Sequence, residues 1–181
     1  MFFNTRYNLM KSIRLFSLLF VCFAFIATST SYGQGMKRVS PPATAASTIK
    51  GVKVEIKYSQ PSVKGRKIWG GLVPYDQVWR TGANEATTFE VSQDVKIEGK
   101  TLPKGKYALF TIPGKSSWTL IFNKKAKQWG AYNYSSSDDA LRVTVKAKKS
   151  NKMSEKLAFS FEGNKAVFHW EKLEFAFAIK K

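Results

Sequence analysis

The chain has 181 residues, with 30 Lys+Arg against 12 Asp+Glu and a formal charge of +18. That length suits one domain with one modest core and excludes a two-domain Rossmann enzyme, a TIM barrel or a fold with a long lid. A 44% apolar and 14% aromatic composition excludes disorder as the main state.

Residues 1–33 read as a signal peptide. Arg6, Lys11 and Arg14 make a basic start, and an apolar run of thirteen residues follows from Leu15 to Ala27. The run is shorter than the roughly 20 residues a spanning helix needs. Ser31 and Gly33 offer small residues to a peptidase, so cleavage is expected after Gly33, with no stable membrane anchor afterwards. The expected location is periplasmic or secreted. The single cysteine, Cys22, sits inside the apolar run rather than behind small residues at its end, so no lipid anchor is expected. The remaining 148 residues keep 27 basic and all 12 acidic side chains, a charge of +15, and contain no cysteine. Their stability must come from packing without a disulfide.

Residues 34–50 are poor in large apolar groups and contain Pro41-Pro42, which suggests an extended lead-in or tether. A β domain is expected over residues 51–181. Val52, Val54, Ile56 and Tyr58 alternate with Lys53, Glu55 and Lys57. The same period of two recurs at Leu141, Val143 and Val145, at Leu157, Phe159 and Phe161, and at Leu173, Phe175, Phe177 and Ile179. Lys106–Ile112 and Trp118–Asn123 are nearly apolar on both faces and read as central strands. Gly163-Asn164 marks a short hairpin, and Gly99-Lys100 and Pro103-Lys104-Gly105 mark turns. These signals predict an all-β fold: a single antiparallel β-sandwich of about eight strands, with a barrel as the second choice.

Tyr58–Val91 departs from the alternation. It holds Pro61, Gly65, Gly70, Gly71, Pro74 and Gly82, yet also Ile68, Trp69, Leu72, Val73, Tyr75, Val78 and Trp79, which need burial. The expectation is a long folded loop excursion packed against one end or face of the sandwich. Within it, Arg80 is a fixed cation with five donors, Asn84 both donates and accepts, and Glu85 accepts only. Such a trio suits a sugar or carboxylate ligand. It equally suits a structural role, with Arg80 and Glu85 paired or tied to loop carbonyls. A second aromatic loop, Gln128–Tyr134, offers Trp129 and Tyr132 as a stacking platform or as a plug closing the sandwich.

Of the 27 basic residues beyond Gly33, 23 are Lys and only Arg38, Arg66, Arg80 and Arg142 are Arg. Scattered lysines on outward strand positions read as solvated surface that protects strand edges. Clustered Arg, which reads phosphate and guanine with a planar fork, is missing, so nucleic acid is not expected as a partner. An acidic glycan or other acidic envelope polymer is the candidate polyanion.

The runs YSQPSVKGRKIWGGLVPYDQVWRTGANEATTF, LPKGKYALFTIPG and WTLIFNKKAKQWGAYNY together resemble an exported bacterial family catalogued as domain of unknown function 2911. The resemblance covers roughly Ser40 to Lys146 and rests on strand pattern beyond. It implies a secreted, mostly β domain of one unit, with no cofactor or catalytic residue to carry over.

The chemistry-bearing residues point away from catalysis. Metal sites need clustered His, Cys or carboxylates, and His169 is the one histidine; no metal or cofactor is expected. Asp138-Asp139 lacks Ca²⁺-loop spacing and reads as a turn. No serine stands in a nucleophile elbow, and no phosphate-binding glycine motif precedes a helix. Glycoside hydrolysis needs only two carboxyl groups, and Glu85 with Asp76 or Asp138 is the pairing to test. The leading expectation is a non-catalytic binding module for a glycan or other envelope component. Arg80, Asn84 and Glu85 would make polar contacts, and Trp79, Trp129 and Tyr132 would stack. The alternatives are a carboxylate-dependent hydrolase acting on sugars and a structural module pairing with another envelope protein.

Overall fold

In a computed structural model, which describes residues 38–181, Val52, Val54, Ile56 and Tyr58 are buried while Lys53 and Lys57 are exposed. One dry and one wet face follow from the period-two alternation. The expected signal peptide and cleavage point, and Cys22, lie outside the described residues.

Nine strands form in chain order: β1 (Pro42–Ile49), β2 (Val52–Ser59), β3 (Thr88–Val91), β4 (Val95–Ile97), β5 (Lys100–Leu102), β6 (Gly105–Ile112), β7 (Ser117–Asn123), β8 (Asp139–Glu162) and β9 (Lys165–Lys180). They make one antiparallel sheet in the order β1-β2-β3-β6-β7-β8-β9-β4-β5, which is not closed into a barrel. The all-β, sandwich-like expectation holds, and the barrel alternative falls. A short 3₁₀ turn, Ser136–Asp138, leads into β8 where a turn was expected around Asp138 and Asp139.

The sheet folds onto itself through its two longest strands. β8 pairs with β7 from Asp139 to Lys146 and with β9 from Ala147 to Glu162. Its register shifts between Lys149 and Ser154 and again between Ser154 and Ala158. Extra residues of this kind bend a strand and raise its twist. Side chains from the two halves then meet: Tyr58 of β2 on Phe159 of β8, Phe89 of β3 on Phe177 of β9, and Trp118 of β7 on Phe168 of β9, with ring centroids 5.2, 5.9 and 5.8 Å apart. Trp118, Phe122, Phe168, Trp170, Phe175 and Phe177 are essentially inaccessible at the centre of this core. Such burial supplies the drive that a chain without disulfides needs.

β6 and β7 are central strands, as their two apolar faces predict. Their second face carries Ala108, Phe110 and Ile121, covered by Ala86, Val78, Ala131 and Tyr134 from the loops. Residues 42–49 correct the lead-in reading. They are edge strand β1, hydrogen-bonded to β2 in register from Pro42↔Ser59 to Ile49↔Val52. Pro42 is tolerated because an edge strand can spare an N–H. The β1–β2 loop, Lys50-Gly51, places both residues at positive φ (+47° and +82°), the requirement of a type I′ hairpin.

Candidate functional site

Residues 60–87 leave the sheet after β2 and return to it at β3. Two backbone bonds fasten their start to β8, from the Val63 N–H to the Glu155 carbonyl (2.8 Å) and from the Leu157 N–H to the Pro61 carbonyl (3.0 Å). Further on, Trp79 and Thr111 of β6 exchange both backbone bonds, at 2.8 and 2.9 Å. Ile68 and Val73 are buried, and Trp69 and Trp79 pack half-buried on the core, as their apolar character requires. Leu72 is the exception among the residues expected to be buried, at 47% exposure.

The WRTGANEAT segment is held by its own short polar residues. The Thr81 hydroxyl donates to the Thr111 hydroxyl (3.1 Å), and the Thr87 hydroxyl donates to the Thr81 carbonyl (2.9 Å). Gly82 is buried so tightly that a Cβ would sit 3.1 Å from both the Ser59 carbonyl oxygen and the Thr87 Oγ1. Asn84 takes a left-handed backbone (φ +59°), which its short amide tolerates. Its Nδ2 donates to the Ser40 carbonyl (3.2 Å) and to the Ser59 hydroxyl (3.3 Å).

The predicted trio does not act as a unit. Glu85 receives a two-pronged bond from Arg38, at 2.8 and 2.9 Å. That hydrogen bond holds the Glu85 carboxyl below the usual glutamate range. Arg80 therefore does not pair with Glu85. Its Nε is buried with no hydrogen-bond partner, as are the indole nitrogens of Trp69, Trp118 and Trp170.

Trp79, Arg80 and Asn84 line one groove of about 360 Å³, joined by Lys64, Arg66, Leu72 and Trp170. It contains three cations and no carboxylate among its lining residues. Trp79 does not stand free as an open platform. It stacks on Trp170, with centroids 5.8 Å apart and planes at 15°, and meets Trp69 and Trp118 edge-on. Glu85 lines a neighbouring hollow with Arg38 instead. A larger hollow of about 510 Å³ lies on the wet side of β1–β3, but its acids Glu55 and Glu90 are already paired with Lys57 and Lys106.

The second aromatic loop does meet the first. Glu85 and Trp129 form an isolated bridge, the Ala86 N–H donates to the Gln128 carbonyl (3.0 Å), and the Gly130 N–H donates to the Asn84 carbonyl (3.1 Å). Gly130 has φ +65°, and a Cβ there would sit 2.9 Å from the Tyr132 ring and 3.6 Å from Arg80 Nη1. Arg80 thus reaches from the groove to the underside of this loop. The plug reading fails for its two candidate aromatics: Trp129 is 58% exposed and Tyr132 81% exposed. Tyr134 does the plugging, edge-on to Phe110 at 5.2 Å.

Sequence reasoning missed Arg38, Lys64, Arg66 and Trp170. Nothing in their local context separated these cations from the other basic residues, and Trp170 carried only a strand signal. His169 bonds Glu174, which also pairs with Lys148 at 2.9 Å. Among the described residues no three His, Cys, Asp or Glu side chains converge as metal ligands, and no helix is long and apolar enough to cross a membrane.

A family model described as protein of unknown function (DUF2911) matches residues 40–179. The chain belongs to that family. The match takes in the groove, both aromatic loops and the strands beyond Lys146. No curated protein and no solved structure matches the chain.

Proposed function

We propose that this DUF2911 chain is an exported, non-catalytic binding module that takes a glycan or other envelope component in the periplasm or outside the cell. The observation that carries the reading is the groove of Trp79, Arg80 and Asn84, linked through Arg80 to a loop that holds Trp129 and Tyr132 out to solvent. Sugar sites combine flat apolar surface with a few fixed polar groups, and both are supplied here by loops on a rigid sheet. The basic start and apolar run of residues 1–33 support export.

Glycoside hydrolysis finds less support. A general acid needs a raised pKa, whereas Arg38 lowers that of Glu85, and Asp138 is paired with Lys125 at 2.8 Å. Binding of the purified protein to a glycan array tests the proposal. A selective glycan signal that drops in a Trp129→Ala/Tyr132→Ala double variant of unchanged fold is expected. Signal that survives the double variant in full removes the loop from the site.

A further inference from the structure

We infer that the groove recognises a carboxylate carried on a sugar ring, an inference that rests on the binding reading above. Lys64, Arg66 and Arg80 line the groove and no acid balances them there. Arg80 carries a guanidinium whose Nε lies buried without a partner. Glu85, in the same loop, is taken, because both its oxygens are held by Arg38. Arg80 lines the groove, and a carboxylate matches a guanidinium's planar fork better than a hydroxyl does.

The other two cations differ in freedom. Arg66 is fixed by donating from Nε to the Val63 carbonyl (3.1 Å) and from Nη2 to the Ser62 carbonyl. Lys64 is exposed, and its backbone N–H, not its ammonium, meets the Glu155 carboxylate at 2.9 Å. Glu155 is not a lining residue of the groove. Half-buried Trp79, backed by the inaccessible Trp170, gives the groove an apolar wall, and Asn84 supplies an amide carbonyl for a hydroxyl to meet. A volume of about 360 Å³ lies at the small end for ligand sites, which favours one or two rings over a long chain.

The test titrates the purified protein with disaccharides of galacturonate, glucuronate and N-acetylneuraminate, each against its own methyl ester. The ester keeps the ring and removes the charge. At least one acid is expected to bind about tenfold or more tightly than its ester, with the advantage shrinking as salt is raised. Arg80→Gln should abolish that advantage. Lys64→Gln, at an exposed position, should reduce it several-fold, with circular dichroism confirming the fold of both. Acid and ester binding alike would overturn the carboxylate inference and leave the glycan reading standing. Binding of none of the sugars would overturn the carboxylate inference, and a blank glycan array beside it would overturn the glycan reading as well.

Discussion

Glu85 and Arg80 sit five positions apart in one loop, yet they end in different surroundings, and the difference makes separate predictions. The Arg38 hydrogen bond lowers the Glu85 pKa. The pair's stabilisation is therefore present above the ordinary glutamate range and is lost as pH falls through the lowered folded-state value. Both side chains are about half exposed, so solvent and salt screen the pair and its weight in global stability is small. In an NMR titration Glu85 should titrate below exposed glutamates and return to their range in Arg38→Ala, with little change in the unfolding midpoint. A Glu85 titration indifferent to Arg38→Ala would contradict the pairing. Gly130 makes the other residue-scale prediction. Its positive φ and the 2.9 Å approach to the Tyr132 ring mean that Gly130→Ala should cost about 1 kcal/mol or more in urea unfolding. None of this local geometry was legible in the sequence. WRTGANEAT announced a polar loop, but the partner of Glu85 lies 47 residues away at Arg38, and no local pattern points there.

At the scale of elements, the strands with strong alternation and the Gly163-Asn164 hairpin were legible because burial on one face leaves a period-two trace. The hairpin joins β8 to β9 as expected, with Gly163 at φ +58° and open space around its Cβ position. Gly163→Ala should therefore cost about 1 kcal/mol from backbone strain alone. A neutral Gly163→Ala would contradict that geometry. β1 was not legible. Its inward residues Ala43, Ala45 and Ser47 are small, so the alternation carries almost no hydrophobic signal until Ile49, and Lys50-Gly51 is a weaker hairpin cue than Asn-Gly. The bend in β8 was hidden for a related reason: between Lys148 and Lys156 polar residues break the alternation, and the chain reads as loop where it is bulged strand. Tryptophans sort by element too. Trp118→Ala, in the inaccessible core of β7, should lose about 3–5 kcal/mol in urea unfolding, whereas Trp129→Ala on its exposed loop should stay within about 0.5 kcal/mol. Equal losses at the two positions would contradict the assignment of one to scaffold and the other to ligand.

Across the whole molecule, the folded sheet keeps its large apolar groups between its two halves and leaves two loops to shape one surface. Residues of those loops cover the second face of the central strands β6 and β7, and the backbone of Trp79 is bonded to Thr111 of β6, which ties the groove to a central strand. The 148 residues after Gly33 carry a net charge of +15, which attracts anions without regard to their shape. Selectivity must therefore come from the groove rather than from the field. The most direct check compares the wild-type protein and Arg80→Gln on one glycan array at about physiological salt, with circular dichroism verifying that the variant is folded. The account predicts a selective glycan signal for the wild type that is lost or strongly reduced in the variant. Equal signals from the two folded proteins, or none from the wild type, would contradict it.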